Sequence, residues 1–222
     1  MTYPQPMTYP LGRVVEHDPR SRAYPARATA AHVPFVSRRW RHVGPVLDQG
    51  QIGACTGFAL AQCLNTGPLH TGQRALTDSD ALALYKAATR LDNIPGEYPP
   101  DDTGSSGLAA AKAAKAAGLI SSYRHAFGLD HMLSALQLGP VIVGTDWTDA
   151  MFTPDASGFV HYRGSRAGGH EWLAYGLNVP REYVLALNSW GPAWGVKGRF
   201  RVSFTDMGAL LARGGDVTVP VR

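Results

Sequence analysis

The sequence predicts an α+β protein with a helical lobe followed by a sheet lobe, and the order of its patterns carries that prediction. Helical patterns occupy the chain from about residue 45 to 125, and most strand patterns lie between about 126 and 222. Helices and strands that segregate along a chain favour α+β folds over alternating α/β folds. The 222 residues are 45% hydrophobic, enough for a sizeable core, and 25 glycines and 16 prolines indicate many turns.

Three segments predict the helices of the first lobe, and a fourth predicts a short helix after it. Apolar residues recur at helical spacing in ACTGFALAQCLNTG and LTDSDALALYKAATRLD, the second of which Thr77 or Ser79 can cap. LAAAKAAKAAGL is rich in the best helix formers and ends at Gly118. DHMLSALQLG supplies the short helix, and NIPGEYPPDDTGSSG between the second and third helices predicts a long loop.

Strand patterns dominate the second half of the chain. PVIVGTDW is a β-branched run, SGFVHY predicts a short strand, and WGVKGRFRVSF alternates apolar and polar residues. HEWLAYGLNVPREYVLALNSWG contains two apolar segments joined by a turn at Asn178–Arg181, which predicts an antiparallel hairpin.

Residues 1–36 are rich in proline, tyrosine and arginine and show no period. They predict an extended N-terminal arm, partly disordered at its beginning, ahead of one domain over 37–222.

Charge and cysteine usage narrow the class of protein. The net charge is +4, and the basic stretch at Arg38, Arg39 and Arg41 favours a solvated surface, so no nucleic-acid partner is expected. No apolar run approaches the ~18 residues of a membrane span, and the start lacks the order of a signal peptide. Cys55 and Cys63 lie about 12 Å apart along one predicted helix, too far for a disulfide. A cytoplasmic location is therefore predicted, with export by another route left open.

Cys55 is the first candidate for chemistry. It follows the run DQGQIGA and stands where an apolar helical pattern begins. A helix N-terminus favours a negative charge and lowers the pKa of a thiol, and Gly50 and Gly53 allow a ligand to approach the backbone. The local pattern fits a nucleophile and a small core residue about equally.

His170 and Asn188 are the second candidate pair. His170 opens a predicted strand after Gly168 and Gly169, and Asn188 ends the strand paired with it. The hairpin places both residues near the same end, where a hydrogen bond would fix the orientation and tautomer of the imidazole. The tryptophans of NSWGPAWG either fill the core or shield this bond from water. The histidines are scattered without ligand spacing, so neither a metal nor a cofactor is expected.

Three motifs together resemble the papain family of cysteine peptidases: DQGQIGACTGFA, GGHEWLAYGL and NSWGPAWGVKGRFRV. The third motif is the most specific, and the resemblance covers roughly residues 40 to 205. It implies two lobes, one helical and one an antiparallel β-barrel-like sheet, with the active-site cleft between them.

The resemblance also implies a role for each motif residue. Cys55 would be the nucleophile, and His170 its imidazolium partner and later the general acid. Asn188 would orient His170, and Trp190 would cover the bond between them. Gln49 and the backbone N–H of Cys55 would form the oxyanion hole. By rough alignment the loop 101–106 and the segment 146–151 would line the pocket. Gly104, Ser105, Gly169 and Trp190 would bind substrate.

The sequence departs from the family pattern at several positions. Ile52 replaces a disulfide cysteine, and Thr56 and Gly57 replace the usual Trp-Ala. Glu171 stands where a small apolar residue is usual, although strand alternation should turn it away from His170. The arm is shorter than a family propeptide, so it is either a shortened pro-segment or unrelated to zymogen control.

These observations predict a cysteine peptidase acting on peptides or proteins, with no membrane partner and an oligomeric state left unpredicted. Two alternatives stay open: an amide hydrolase of the same fold acting on cell-wall peptides, and a non-catalytic peptide-binding module.

Overall fold

The computed structural model describes residues 9–27 and 34–222, in which helices precede most strands as predicted. Residues 1–8 and 28–33 of the predicted arm, with its predicted disorder, lie outside the described residues. The helices are α1 (Cys55–Leu64), α2 (Asp78–Ala88), α3 (Gly107–Ala116), α4 (Leu129–Leu136) and α5 (Phe204–Ala212). The strands are β1 (Arg38–Arg39), β2 (Ser122–Ala126), β3 (Val141–Thr148), β4 (Arg166–Asn178), β5 (Tyr183–Leu187), β6 (Arg199–Ser203) and β7 (Asp216–Val221).

The seven strands form one antiparallel sheet in the order β2-β7-β3-β4-β5-β6, with β1 added to β4. The expected barrel-like closure is wrong, because the sheet is open between its edge strands β2 and β6. The arm pairs with the β2 edge instead: Ala26 N–H donates to His125 O at 2.7 Å, and His125 N–H donates to Tyr24 O at 3.0 Å.

Most predicted elements are confirmed, and the differences have local causes. The four predicted helices correspond to α1–α4, and β4 and β5 form the predicted hairpin. SGFVHY forms only an isolated bridge, at Phe159–Arg201. Helix α5 and strands β2 and β7 were not predicted; each is short, and β2 carries polar residues because only part of it is buried.

Two apolar cores lie on opposite faces of β3 and β4. Side chains alternate along a strand, so Val143 and Trp172 pack into one core while Ile142 and Leu173 pack into the other, against α1–α3. Helix α1 is buried over all ten residues. The sheet and the helices therefore hold the first residue of α1, Cys55, firmly against β4.

Gly57 explains one departure from the family pattern. A Cβ at this position would lie 2.5 Å from Ala81 O and 2.6 Å from Tyr85 N, both backbone atoms of α2. A side chain here would push α1 and α2 apart, so the close packing of these helices requires glycine.

Candidate active site

Cys55 opens α1, as the sequence predicts. The first N–H groups of any α-helix lack intrahelical acceptors, and the N-cap residue Ala54 has no side chain that could accept from those of α1. The backbone N–H of Glu171 donates to Cys55 Sγ at 3.4 Å. Since Glu171 follows His170 in β4, this bond places the sulfur beside the strand that carries the predicted base. Both cysteines are free, as predicted.

The predicted hydrogen bond between His170 and Asn188 is present. His170 Nε2 lies 2.7 Å from Asn188 Oδ1, and that oxygen also accepts from Ser189 N–H at 2.8 Å. An atom that accepts from a backbone N–H must be the amide oxygen, so His170 Nε2 carries the proton. In the neutral ring Nδ1 is therefore the basic nitrogen, and among the described residues it has no hydrogen-bond partner.

Aromatic rings exclude water from this bond. Trp190 stacks on His170 with ring centroids 4.5 Å apart, and Trp147 meets the imidazole edge-on at 4.9 Å. His170 and Asn188 are both fully buried. A hydrogen bond in such surroundings is stronger than one in water, so the ring orientation is well determined.

Gln49 is held by a partner that the sequence did not reveal. Its Oε1 accepts from Ser189 Oγ at 2.6 Å, which leaves Nε2 to donate. Nε2 donates to Ile52 O at 2.8 Å and more weakly to Pro10 O at 3.3 Å. The amide thus points a donor into the space that a carbonyl of the arm now occupies.

The arm crosses the site and contacts each of the four residues expected to bind substrate. Gly169 O accepts from the N–H groups of Gly12 and Arg13 at 3.2 and 3.0 Å. Ser105 pairs with the arm in parallel, its N–H donating to Gly12 O at 2.8 Å. Trp190 Nε1 donates to Pro10 O at 3.2 Å, and its ring stacks on Tyr9. A Cβ at Gly104 would lie 2.3 Å from Gly12 O.

Gly12 packs against the turn that precedes the nucleophile. A Cβ placed on it would fall 1.8 Å from Gly53 O, so this stretch of the arm can bind at this depth only with glycine. Its N–H faces Cys55 Sγ, while its carbonyl turns away to Ser105.

Covering the site reverses the expected protonation of the pair. Burial raises the pKa of the Cys55 thiol to about 12, although N–H groups of Glu171 and Gly12 act against it. Burial also lowers the pKa of His170 to about 4, partly offset by the bond to Asn188. The sequence led us to expect an ion pair. In this arm-covered form the two groups are instead a neutral thiol and a neutral imidazole, because burial removes the solvation of either charge.

Asp102 lies in the loop 101–106, which the resemblance marks as pocket-lining, but its bonding partners were not predicted. Its carboxylate accepts from Gly53 N–H at 2.8 Å and from Tyr85 OH at 2.6 Å. The Tyr85 hydroxyl in turn accepts from Gly104 N–H at 3.0 Å. These bonds tie the turn before Cys55 to the loop that pairs with the arm. The sequence marked the loop by rough alignment but gave no sign of the bonds of Asp102.

Replacing Tyr85 with phenylalanine tests this network. We expect Tyr85→Phe to lower the free energy of unfolding by about 1–3 kcal/mol, since it leaves a buried N–H and a carboxylate oxygen short of a partner. Urea denaturation measures the change. Tyr24→Phe, at a ring that is 55% exposed, is the matched control and should change stability by less than about 0.5 kcal/mol. Equal effects of the two variants would contradict the assignment.

Residues 9–27 and 34–222 contain no cluster of three metal-ligand side chains. Within the same ranges no helix has both the length and the apolar character to cross a membrane.

Comparison with known proteins identifies the class. The model of the papain family of cysteine proteases matches residues 88–209, which is more than half of the chain and includes His170 and Asn188. The chain therefore belongs to the papain family.

Particular relatives agree with this. The chain is 30% identical over 131 residues to the cathepsin B-like protein CP3 of Giardia intestinalis, covering 54% of this chain and 43% of that protein. In structure it is similar to xylellain, a cysteine protease from Xylella fastidiosa, with a TM-score of 0.76, 17% identity and 95% coverage of both chains. It is also similar to the bromelain protease of Ananas comosus, with a TM-score of 0.61, 19% identity and coverage of 85% and 99%.

Proposed function

We propose that this chain is a cysteine peptidase that hydrolyses peptide bonds through a covalent acyl-enzyme. The carrying observation is the His170–Asn188 hydrogen bond, which fixes the protonated nitrogen and leaves Nδ1 as the base, in a strand whose next N–H touches Cys55 Sγ. Such an arrangement of thiol, imidazole and orienting amide is the pattern of an activated nucleophile.

The geometry supports the following sequence of steps. The Cys55 sulfur, its proton taken by His170, attacks a substrate carbonyl, and the C=O electron pair moves onto the oxygen. Gln49 Nε2 and the N–H of Cys55 donate to that oxygen. When the intermediate collapses, the amine leaves with the proton from His170. Water then attacks the thioester with His170 as base, which releases the acid and restores the thiol.

We further propose that the arm is a short pro-segment that keeps the chain latent. The support is its position: residues 9–13 contact every residue assigned to substrate binding, and Cys55 is fully buried beneath them. When the arm leaves, water returns to the site, and the pKa of the thiol falls towards the range where a thiolate forms beside an imidazolium.

A non-catalytic binding module is less consistent with this site, because binding alone does not require an oriented imidazole beside a thiol. Assays with protein substrates and with cell-wall peptides distinguish a general peptidase from an amide hydrolase that acts on cell walls. The predicted absence of a nucleic-acid partner and the predicted cytoplasmic location remain predictions.

Thiol labelling tests the proposed nucleophile in the full chain. A thiol-directed covalent inhibitor should label Cys55 at least about tenfold faster than Cys63, because lifting the arm exposes Cys55 whereas Cys63 requires the helical core to open. Both sulfurs are buried, so their starting exposure is matched. Mass spectrometry of digested protein gives the two rates, and loss of peptidase activity should follow the labelling of Cys55. Equal, slow labelling would argue for a structural cysteine.

A further inference from the structure

The arm places one charged side chain in a closed pocket beside the nucleophile. The Arg13 side chain is 1% exposed. Its Nε donates to Asp216 Oδ1 at 3.0 Å, Nη2 donates to the same oxygen, and Nη2 also donates to Gly214 O at 2.7 Å. The pocket therefore recognises a guanidinium by its fork of donors as well as by its charge.

A second carboxyl group, that of Glu171, lines this pocket. Glu171 is fully buried, and among the described residues neither of its carboxylate oxygens has a hydrogen-bond partner. Strand alternation turns its side chain away from His170, as expected, but into this pocket and not into solvent. Burial raises the pKa of Glu171 well above its usual range, and the nearby Asp216 raises it further, while the Arg13 guanidinium acts against both. Asp216 therefore supplies the charge that pairs with the guanidinium, and Glu171 adds a buried carboxyl whose ionisation is favoured only by a cation in the pocket.

Two glycines make the room for this arrangement. A Cβ at Gly144 would lie 2.6 Å from Arg13 Nε, 2.6 Å from Glu171 Oε2 and 2.8 Å from Asp216 Oδ1. A Cβ at Gly107 would lie 2.5 Å from Glu171 Oε1. A larger residue at either position would fill the cavity or displace the carboxylate.

The pocket lies where a side chain of a bound peptide substrate would enter it. Gly12 faces the sulfur and Arg13 is its neighbour, while Gly169 and Ser105 pair with the backbone on either side of Arg13. A peptide that replaces the arm between the same two edges brings its own side chain over the same opening. That side chain lies one residue away from the residue at the nucleophile.

We propose that Glu171 and Asp216 form a specificity pocket that selects a basic side chain, arginine above lysine, one residue from the scissile carbonyl. The inference rests on the proposed function, whose substrate class it specifies. Arginine is favoured because Asp216 and Gly214 O receive a planar fork of donors that an ammonium lacks.

The test compares peptides that differ only at this position. Fluorogenic peptides carry arginine, lysine, leucine or citrulline, which has the shape of arginine without its charge, at each of the two residues before the scissile bond in turn. They are assayed on the full chain carrying Gly12→Ala, which cannot seat the arm. Arginine should exceed citrulline in kcat/KM by about 10- to 100-fold at one position. Asp216→Asn should lower this ratio at least fivefold, roughly half of the charge-assisted gain. Glu171→Gln should lower it by less, because burial opposes the charge of that carboxyl.

A matched control and a second readout keep the outcomes separate. Glu97→Gln, at an exposed carboxylate paired with Arg90, should leave the ratio unchanged. Chloromethyl ketones of the same peptides report selectivity through the rate at which Cys55 is alkylated, whether or not peptides are hydrolysed. Arginine and citrulline reagents reacting within twofold of each other would overturn the pocket. Selective alkylation without any hydrolysis would instead overturn the proposed peptidase activity.

Discussion

Gly12→Ala is expected to raise the alkylation rate of Cys55 and the peptidase activity of the full chain by at least about 30-fold. The added Cβ would fall 1.8 Å from Gly53 O and 2.4 Å from the Gly53 carbonyl carbon, which are backbone atoms that cannot rotate aside. A clash of this kind typically costs 2–3 kcal/mol or more, and the cost falls only on the state in which the arm is seated.

The same substitution should change the thiol itself. In the covered form burial holds the pKa of Cys55 near 12, so almost no thiolate exists at neutral pH. A folded-state pKa raised above the ordinary value of a thiol means that the covered form binds the proton more tightly than the open form. As the pH rises through the ordinary range of a thiol pKa, ionisation of Cys55 therefore shifts the equilibrium from the covered form to the open form. The alkylation rate of Gly12→Ala should level off at a lower pH than that of the unmodified chain.

Gly208→Ala is the matched control, because a Cβ at Gly208 meets only Leu129 Cδ2, at 3.8 Å. Alkylation quenched at set times and followed by mass spectrometry gives the rate for Cys55 in each variant. Circular dichroism checks that both variants are folded. If Gly12→Ala remains as slow as Gly208→Ala while folded, the arm does not limit access and the proposal of latency is wrong.

The features that the sequence predicted correctly depend on residues that are near one another in the chain. Cys55 at the start of α1 and the His170–Asn188 pair could be predicted because helical period and hairpin register place residues that are close in the chain or paired across one turn. The open edge of the sheet could not be predicted, because β2 pairs there with residues 24–26, which are distant in the chain and show no strand pattern.

The covering of the site could not be predicted for a related reason. Residues 9–13 have no periodicity, and their position depends on glycines on both sides of the cleft that admit a backbone. Gln49, whose motif was recognised, showed no sign of its bond to Ser189, which is 140 residues away. Strand alternation correctly predicted that the side chain of Glu171 points away from His170. Alternation predicts the face of the sheet on which a side chain lies, but it does not predict that Arg13 and Asp216 lie on that same face.

Cys55→Ala, introduced together with Gly12→Ala, should reduce kcat/KM on peptides by about 10⁴-fold or more, since no other group replaces the sulfur as nucleophile. The change removes one buried sulfur, so the free energy of unfolding should fall by only about 1 kcal/mol. Cys63→Ala in the same background is the matched control: its sulfur is equally buried in α1, and its activity should stay within about twofold. Peptidase activity that survives Cys55→Ala would place the chemistry elsewhere.

His170→Ala and Asn188→Ala in that background order the roles of the remaining pair. His170→Ala should cost more in kcat/KM than Asn188→Ala, because the imidazole moves the proton whereas the amide fixes its tautomer and orientation. Trp190 stacked on the ring retains part of that orientation when Asn188 is lost. The two losses should also add up to far more than the loss in the double variant, since an orienting amide contributes nothing once the imidazole is gone. A larger loss from Asn188→Ala, or full additivity, would mean that Asn188 acts on substrate directly and not through His170.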